Sequence, residues 1–258
     1  MPIVTTIEGR IAQVAIDRPE KRNTLSSELC KDLAREFLEL NDDTRVRSIV
    51  LCGHNNVFCA GLDIEEQLAE NTPIFNEFQK VIDALDALSK PVVAAVSGPA
   101  VSQGAAMLYH CDLVFAGEHA LFSMPGLALG QTPRYGVSLL AVKSGGYKLA
   151  AQKLLLSEPI SAAEAVAMGL VNHIVEDDKV MTVAGAAALR LASLPPEAMA
   201  GVFTGWPATK RLLKAAYMSG LSEQRKLEEE AASHLEGSAE SKEAFSAFME
   251  KRQPKFAE

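Results

Sequence analysis

Short strand patterns alternate with amphipathic helix patterns through the first half of the chain, and this alternation limits the possible folds more than any other feature. The β-branched runs at residues 48–52 and 92–96 predict buried strands. Between them, residues 74–88 have the period of an amphipathic helix. Residues 4–8 and 11–16 predict a hairpin closed by a turn at Gly9. We therefore expect an α/β fold.

The second half of the chain has a mostly helical pattern after about residue 136, with one further strand predicted at residues 171–175. Helices are predicted at residues 178–194, 207–217, 222–235 and 238–251. The pair Pro195-Pro196 and the stretch 201–207 are the best hinge candidates. We divide the 258 residues into a core of residues 1–195 and a C-terminal helical region of residues 196–258.

The net charge and the positions of the cysteines limit which binding partners, cofactors and cellular compartment we expect. The net charge is −8 and the basic residues are scattered, which predicts no nucleic-acid partner. The four cysteines lack CxxC spacing and the first residues do not resemble a signal peptide, so we expect a reduced, cytoplasmic protein. No apolar stretch is long enough for a membrane span. Histidines and cysteines are not clustered, so we predict no metal and no redox cofactor.

Two segments rich in small residues have features of a ligand site. In residues 57–64 (VFCAGLDI), the small residues around Gly61 let a ligand approach the backbone closely. Residues 97–106 (SGPAVSQGAA) connect a predicted strand to a predicted helix. The first N–H groups of a helix have no partner within it and suit an anion or a developing oxyanion. Taken singly, each segment is equally well explained as an ordinary turn.

The combination of these two segments resembles the signature of the crotonase superfamily, in which each segment supplies one N–H group of an oxyanion hole. Further segments resemble that family in the same order along nearly the whole chain. They are residues 18–25 (RPEKRNTL), 111–116 (CDLVFA), 157–172 and 248–256 (FMEKRQPKF). On these motifs the chain is identified as a member of the crotonase (enoyl-CoA hydratase/isomerase) superfamily.

This resemblance implies a crotonase-like ββα spiral core with a C-terminal helical trimerisation region, and a homotrimer or a dimer of trimers. It also implies an acyl-CoA thioester as the substrate, with coenzyme A as part of that substrate and no separate cofactor. The thioester oxygen would accept hydrogen bonds from the backbone N–H groups of Leu62 and Gln103, with Gly104 beside them. The residues expected to contact CoA are Arg22, Ala60, Leu62, Ile64 and Lys251.

The sequence departs from the family at the residues that carry proton transfer. Hydratases of this family use one glutamate to activate water and a second to deliver a proton. The matched motifs place Ala106 and Gly126 at those two positions, and neither side chain can transfer a proton. A third position, acidic in some isomerases, is Arg134, and the usual glycine of the second segment is Gln103. A backbone oxyanion hole is compatible with these changes, whereas the familiar hydratase chemistry is not.

Three interpretations of this gap remain open at the level of sequence. The enzyme is a hydratase or isomerase that uses another carboxylate, for which Glu65 and Glu66 are candidates. Alternatively, it is a decarboxylase, or performs other enolate chemistry, on a carboxylated acyl-CoA. Arg134 would then bind the carboxylate by a forked pair of hydrogen bonds, and Tyr135 would donate from its hydroxyl. In the third interpretation the protein binds acyl-CoA without catalysis.

A serine hydrolase is the alternative from a different enzyme class. Residues 100–104 (AVSQG) differ by one residue from the G-x-S-x-G nucleophile elbow, with Ser102 at the nucleophile position. His234, with Asp177 or Asp178 before it, would complete the order of a catalytic triad. A five-residue pattern occurs often by chance, so this hypothesis rests on the least specific motif of the four.

Overall fold

The computed structural model of the protein describes residues 2–69, 71–194 and 206–256. The strands are β1 (Ile3–Glu8), β2 (Ile11–Ile16), β3 (Ser48–Gly53), β4 (Val92–Val96), β5 (Pro99–Val101), β6 (Leu113–Gly117), β7 (Leu121–Ser123), β8 (Ile160–Ser161) and β9 (His173–Val175). The helices are α1 (Ser27–Asp42), α2 (Ile64–Gln67), α3 (Ile74–Ala87), α4 (Gln103–Leu108), α5 (Val137–Leu155), α6 (Ala162–Ala167), α7 (Val180–Ser193), α8 (Trp206–Tyr217), α9 (Leu221–Leu235) and α10 (Ala239–Met249).

The strands form two sheets. The larger sheet has the order β1-β2-β3-β4-β6-β9, in which β1 is antiparallel to β2 and the remaining neighbours are parallel. The smaller sheet has the order β5-β7-β8. Helices connect the parallel strands, as crossover connections require. The alternation of strands and helices predicted from the sequence is confirmed, and so is the hairpin at the start of the chain.

The chain leaves the larger sheet for the smaller one between β4 and β5, within two residues. Gly98 makes this turn with a φ of +75°. A Cβ atom at Gly98 would lie 1.8 Å from the carbonyl oxygen of Asn56, so only glycine fits this contact. The turn brings residues 99–101 against residues 57–59. The sequence predicted only a turn of small residues here, and β5 is a strand that it missed.

Helices cover both faces of the larger sheet. Helix α1 begins after Ser26, whose side chain accepts a hydrogen bond from Leu29 N–H and so caps the helix. Its buried face, which includes Leu33 and Phe37, packs against α3 and the main core cluster. Helix α7 packs on the opposite face through Ala184 and Ala188. In the described part of the chain, no helix is both long enough and apolar enough to cross a membrane.

The C-terminal helices α8, α9 and α10 form close to the predicted bounds, although α7 begins at Val180, after a 3-10 turn at Asp177–Lys179. They are joined to the core by ion pairs of Asp86, at the end of α3, with Lys214 of α8 and Arg225 of α9. The boundary predicted between residues 195 and 196 lies outside the described residues. The division into a core of residues 1–195 and a helical region of residues 196–258 therefore stays a prediction.

Candidate active site

The two segments of small residues lie side by side. Cys59 and Ala100 form an isolated parallel bridge, and Val101 N–H donates to the Cys59 carbonyl at 2.8 Å. Phe58 N–H donates to the Pro99 carbonyl at 2.9 Å. Sequence positions about 40 residues apart are therefore fixed against each other by main-chain hydrogen bonds, which are the most geometrically constrained contacts a chain can make.

Gly104 allows the close approach of the two segments. A Cβ atom at Gly104 would lie 2.3 Å from the Cys59 carbonyl oxygen. Gly61, on the other segment, has a φ of +95°, a conformation in which side chains are strained. The glycines that the sequence singled out are thus required by backbone geometry at this junction.

The turn before α4 carries a strained residue. Ser102 has φ 52° and ψ −115°, a combination that favours glycine. Its N–H donates to the Ser123 carbonyl at 2.7 Å, which ties the turn to β7. Gln103 is the first residue of α4, so neither its N–H nor that of Gly104 has an acceptor within the helix. The turn therefore presents main-chain donors at the start of α4.

The side chain of Gln103 contacts the other predicted donor. Its Oε1 atom lies 3.4 Å from the backbone nitrogen of Leu62, and both residues are buried. The structure thus brings Leu62 N–H, Gln103 and Gly104 together. The carboxamide oxygen is a neutral carbonyl-type acceptor. It is the same kind of group as the acyl oxygen that we expected to accept a hydrogen bond from Leu62 N–H.

A small cavity of about 50 Å³ adjoins Ser102 and Gln103. Ala106 and Gly126, which the motif match predicts to stand where hydratases have glutamates, both line it. Among the described lining residues, Arg134 and Tyr135 are the ones with ionisable side chains. Among the described residues, none therefore contributes a carboxylate or an imidazole to the lining of this cavity.

Arg134 is held by carboxylates of the C-terminal helices. Its Nη2 atom lies 2.6 Å from Glu236 Oε1, and Nη1 lies 3.8 Å from Glu229 Oε2. The guanidinium carbon lies 4.6 Å from the centre of the Phe75 ring, a cation–π contact. With only 13% of its side chain exposed, Arg134 is a paired cation at the wall of the cavity rather than a freely solvated one.

Tyr135 lies next to Arg134, and its hydroxyl already has a hydrogen-bond partner. The hydroxyl donates to the Phe75 carbonyl at 3.4 Å. Burial raises the pKa of Tyr135, so the phenol stays protonated at neutral pH. In this structure the predicted hydroxyl donor is thus used by the backbone.

Four of the five residues predicted to contact CoA lie close together in the structure. Ala60 N–H donates to the Arg22 carbonyl at 3.2 Å, and Leu62 pairs with Leu25 in an isolated parallel bridge. Ile64 follows at the start of α2. Lys251 is exposed beyond the end of α10, and no hydrogen bond among the described residues joins its side chain to the other four. The structure thus brings Arg22, Ala60, Leu62 and Ile64 together, and the CoA contacts of these residues and of Lys251 stay predictions.

The carboxylates proposed as substitutes for the hydratase glutamates have other partners. Glu65 pairs with Lys21 at 3.0 Å. Glu66 accepts from the N–H and the hydroxyl of Ser27 at 2.8 and 2.7 Å, at the start of α1. Neither glutamate lines the cavity beside Ala106. Their contacts favour a structural role at the helix ends.

The residues of the hydrolase alternative are not brought together. Asp177 forms a pair with His119 at 2.6 Å. Among the described contacts, none joins His234 of α9 or Asp178 to Ser102.

Glu228 is a residue that sequence reasoning missed. It is buried, and its carboxylate accepts from Gly136 N–H at 2.6 Å and from Ser138 N–H at 2.9 Å. It therefore caps the start of α5 and holds the turn that carries Arg134 and Tyr135. Glu228 lies in a run of charged residues of α9, and no local signal distinguishes it from its neighbours.

Comparison with known proteins assigns the chain to a family. Residues 6–258 match the enoyl-CoA hydratase/isomerase family. A short-chain-enoyl-CoA hydratase of Clostridium acetobutylicum is 31% identical over 97% of this chain and 95% of that protein. A 2,3-dehydroadipyl-CoA hydratase of Escherichia coli is 30% identical over 98% of each chain.

Solved structures agree with this assignment. An enoyl-CoA hydratase/isomerase from Pseudoalteromonas atlantica superposes with a TM-score of 0.90 at 32% identity, covering 100% of both chains. OdaA from Pseudomonas aeruginosa superposes with a TM-score of 0.87 at 35% identity, covering 96% of this chain and 98% of that one. The predicted crotonase fold is confirmed, and the chain is an acyl-CoA-binding enzyme of the enoyl-CoA hydratase/isomerase family.

Proposed function

We propose that this enzyme stabilises the enolate of an acyl-CoA thioester between the N–H groups of Leu62 and Gln103, and that it does not hydrate enoyl-CoA esters by the two-glutamate route. One observation carries this proposal. Ala106 and Gly126 line a common cavity in which no described residue offers a carboxylate or an imidazole. The donors for a developing oxyanion are retained, while the groups for acid–base catalysis are missing.

An enolate forms in such a site when the substrate itself supplies the electron pair. In the decarboxylation of a 2-carboxylated acyl-CoA, the bond between Cα and the carboxylate breaks and carbon dioxide leaves. The electron pair of that bond forms the enolate, whose negative charge lies largely on the thioester oxygen, and a proton from water then completes the product. Each preorganised N–H donor contributes about 3–4 kcal/mol to such a transition state in other enzymes. This chemistry needs no general base.

Arg134 is suited to bind the carboxylate that this reaction requires. Its guanidinium reaches the cavity wall and already holds a carboxylate, that of Glu236, at 2.6 Å. A substrate carboxylate would replace Glu236 at Nη2, and the planar guanidinium could bind it by a forked pair of hydrogen bonds. Glu229, at 3.8 Å, would remain nearby and keep the bound arginine in place.

A panel of CoA esters tests this proposal. We expect the purified enzyme to leave crotonyl-CoA unhydrated and to release carbon dioxide from malonyl-CoA or methylmalonyl-CoA, with products identified by mass spectrometry. Hydration of crotonyl-CoA at ordinary enzyme rates contradicts the proposal. Binding of every ester with conversion of none would instead identify an acyl-CoA-binding protein without catalysis.

Variants of Arg134 test the carboxylate site within the same panel. Arg134→Ala should weaken binding of carboxylated esters at least tenfold and leave butyryl-CoA nearly unchanged, because one charge-assisted pair is lost. Arg45→Ala is the matched control, since Arg45 is exposed and pairs only with Asp43 in the described structure. Equal losses for carboxylated and plain esters would remove Arg134 from the site.

We also propose that the enzyme acts as a homotrimer or a dimer of trimers in the cytoplasm. Large apolar side chains of α5 and the turn after it, including Tyr147, Leu155 and Leu156, are exposed in the single chain. Such a patch is typical of a subunit interface. Light scattering after gel filtration should give the mass of three or six protomers, and the mass of one protomer would contradict this proposal.

A further inference from the structure

In the carboxamide of Gln103, only the oxygen has a hydrogen-bond partner among the described residues. Its oxygen accepts from Leu62 N–H at 3.4 Å, a long hydrogen bond, in a region where Leu62 is 1% and Gln103 is 6% exposed. In the described part of the chain, no residue accepts a hydrogen bond from the Nε2 group. A buried carboxamide with one weak contact is held loosely, because its remaining donors gain nothing from the protein.

A second polar atom of the cavity is also without a partner. The hydroxyl oxygen of Thr132 is buried, and none of the described residues hydrogen-bonds to it. Thr132 and Gln103 line the same cavity, together with the cation Arg134. The cavity therefore offers the unpaired Nε2–H donors of Gln103 beside a positive charge, whereas the buried Thr132 hydroxyl has almost no surface that a ligand could reach. Such a set binds an acceptor with negative charge better than it binds a hydrocarbon.

Gln103 would act on a bound thioester in two opposite ways, as a donor and as a competitor. Its own N–H is one of the two donors that we propose for the acyl oxygen. Its side-chain oxygen occupies the other donor, Leu62 N–H, so the thioester must displace the carboxamide to bind between them. A glycine, which the crotonase signature has at this position, would leave Leu62 N–H unoccupied.

We propose that Gln103 determines acyl specificity by competing with the thioester for Leu62 N–H. This inference rests on the proposed function, because it assumes that the thioester oxygen binds there. Once displaced, the carboxamide remains buried and needs a partner. A carboxylate on the acyl group accepts from its Nε2–H, whereas a hydrocarbon chain leaves that donor unpaired. Carboxylated acyl groups therefore bind, and plain ones are rejected.

The size of the cavity strengthens this selection. A volume of about 50 Å³ admits roughly one or two water molecules, so solvent satisfies the displaced carboxamide only in part. A ligand that fills the cavity without offering an acceptor removes even that water. A plain acyl chain in this cavity therefore leaves the displaced carboxamide without a hydrogen-bond partner, which weakens its binding.

Calorimetric titration with butyryl-CoA and succinyl-CoA tests the role of Gln103. Succinyl-CoA carries a carboxylate that does not leave by enolate formation, so binding is measured without turnover. The wild-type enzyme should prefer succinyl-CoA. Gln103→Leu removes the competing oxygen and the amide donors, and should tighten butyryl-CoA binding by about two- to tenfold, the range that one hydrogen bond contributes. Succinyl-CoA should lose its preference in the same variant.

A second variant keeps the test decisive if the Gln103→Leu substitution disturbs the fold. Gln103→Gly vacates Leu62 N–H without adding bulk and should tighten butyryl-CoA binding in the same direction. Gln79→Leu, at an exposed position of α3 that pairs with Asp83, is the matched control and should change neither affinity.

The outcomes separate this inference from the proposed function. If the wild-type enzyme binds no acyl-CoA, the proposed function fails, and the role of Gln103 fails with it. If the wild type binds acyl-CoA but neither Gln103 variant changes the ratio of the two affinities, only the role of Gln103 is overturned.

Discussion

Asp86 is the residue through which the core holds the C-terminal helices, and its removal gives the most informative stability prediction. Its carboxylate lies 2.8 Å from His110 Nδ1, 3.4 Å from Lys214 Nζ and 2.7 Å from Arg225 Nη2. Burial alone would raise the pKa of Asp86. The hydrogen bond and charge of His110, with the charges of Lys214 and Arg225, outweigh burial and lower that pKa well below its usual range.

Asp86→Asn preserves the shape of the side chain and removes its charge. The buried ring of His110 lies between two oxygens, since Nδ1 is 2.8 Å from Asp86 Oδ1 and Nε2 is 3.0 Å from the Tyr135 carbonyl. Without the charge of Asp86, the partly buried cations Lys214 and Arg225 lose their shared counter-charge, and His110 loses a charged hydrogen-bond partner. Breaking a buried pair by removing one partner costs about 3–5 kcal/mol. We expect the free energy of unfolding to fall by that amount at pH 7.

The pH dependence follows from the lowered pKa of Asp86. A carboxylate whose folded pKa is depressed stabilises the protein fully above its unfolded pKa of about 4. That contribution is lost as pH falls below about 4 towards the folded pKa. The difference between wild type and Asp86→Asn should therefore be constant from about pH 7 to 5 and shrink below about pH 4.

Urea unfolding followed by circular dichroism measures this difference at each pH. Asp83→Asn is the matched control on the same helix. Asp83 is 57% exposed and contacts Arg225 at 3.2 Å, so its loss should cost less than about 1 kcal/mol. The reasoning is refuted if Asp86→Asn costs no more than the control at pH 7, or if its cost is the same at pH 7 and pH 3.

Three further predictions concern the site and its support. Glu228→Gln should lower the free energy of unfolding by about 2–3 kcal/mol, measured by urea unfolding, because a carboxamide cannot accept from both Gly136 and Ser138 through two oxygens; an unchanged midpoint would contradict the cap. Gly104→Ala should weaken acyl-CoA binding at least tenfold in calorimetry, because its Cβ would meet the Cys59 carbonyl at 2.3 Å and force the segments apart; full affinity would show that this junction is not the site. Burial raises the pKa of the Cys59 thiol to about 12, so a disulfide reagent at pH 8 should label it only after unfolding, and labelling at the rate of a free thiol would contradict its burial.

The parts of the fold that local sequence determines were predictable. The buried strands follow from β-branched runs, and the start of α1 follows from the capping side chain of Ser26. The passage from β4 to β5 was not predictable, because it depends on contact between Gly98 and Asn56, residues far apart in sequence. A pattern of small residues shows that a turn is possible, but not which backbone lies against it.

For the site, too, local sequence predicted some features, whereas others depend on contacts between distant parts of the chain. The two segments and the absence of proton-transfer side chains at Ala106 and Gly126 are visible in the motifs. The partner of Arg134 is 102 residues away in Glu236, and the contacts of Glu228 with Gly136 span 92 residues. Such contacts depend on how α9 packs on the core, and no local periodicity contains that information.

Infrared difference spectroscopy of a bound acyl-CoA labelled with carbon-13 at the thioester carbonyl tests the central claim most directly, because it observes the atom that the Leu62 and Gln103 N–H groups are proposed to bind. We predict that the carbonyl band shifts to lower frequency on binding, and that the shift is reduced in Gly104→Ala. A bound thioester whose carbonyl band stays at its frequency in water would contradict the claim.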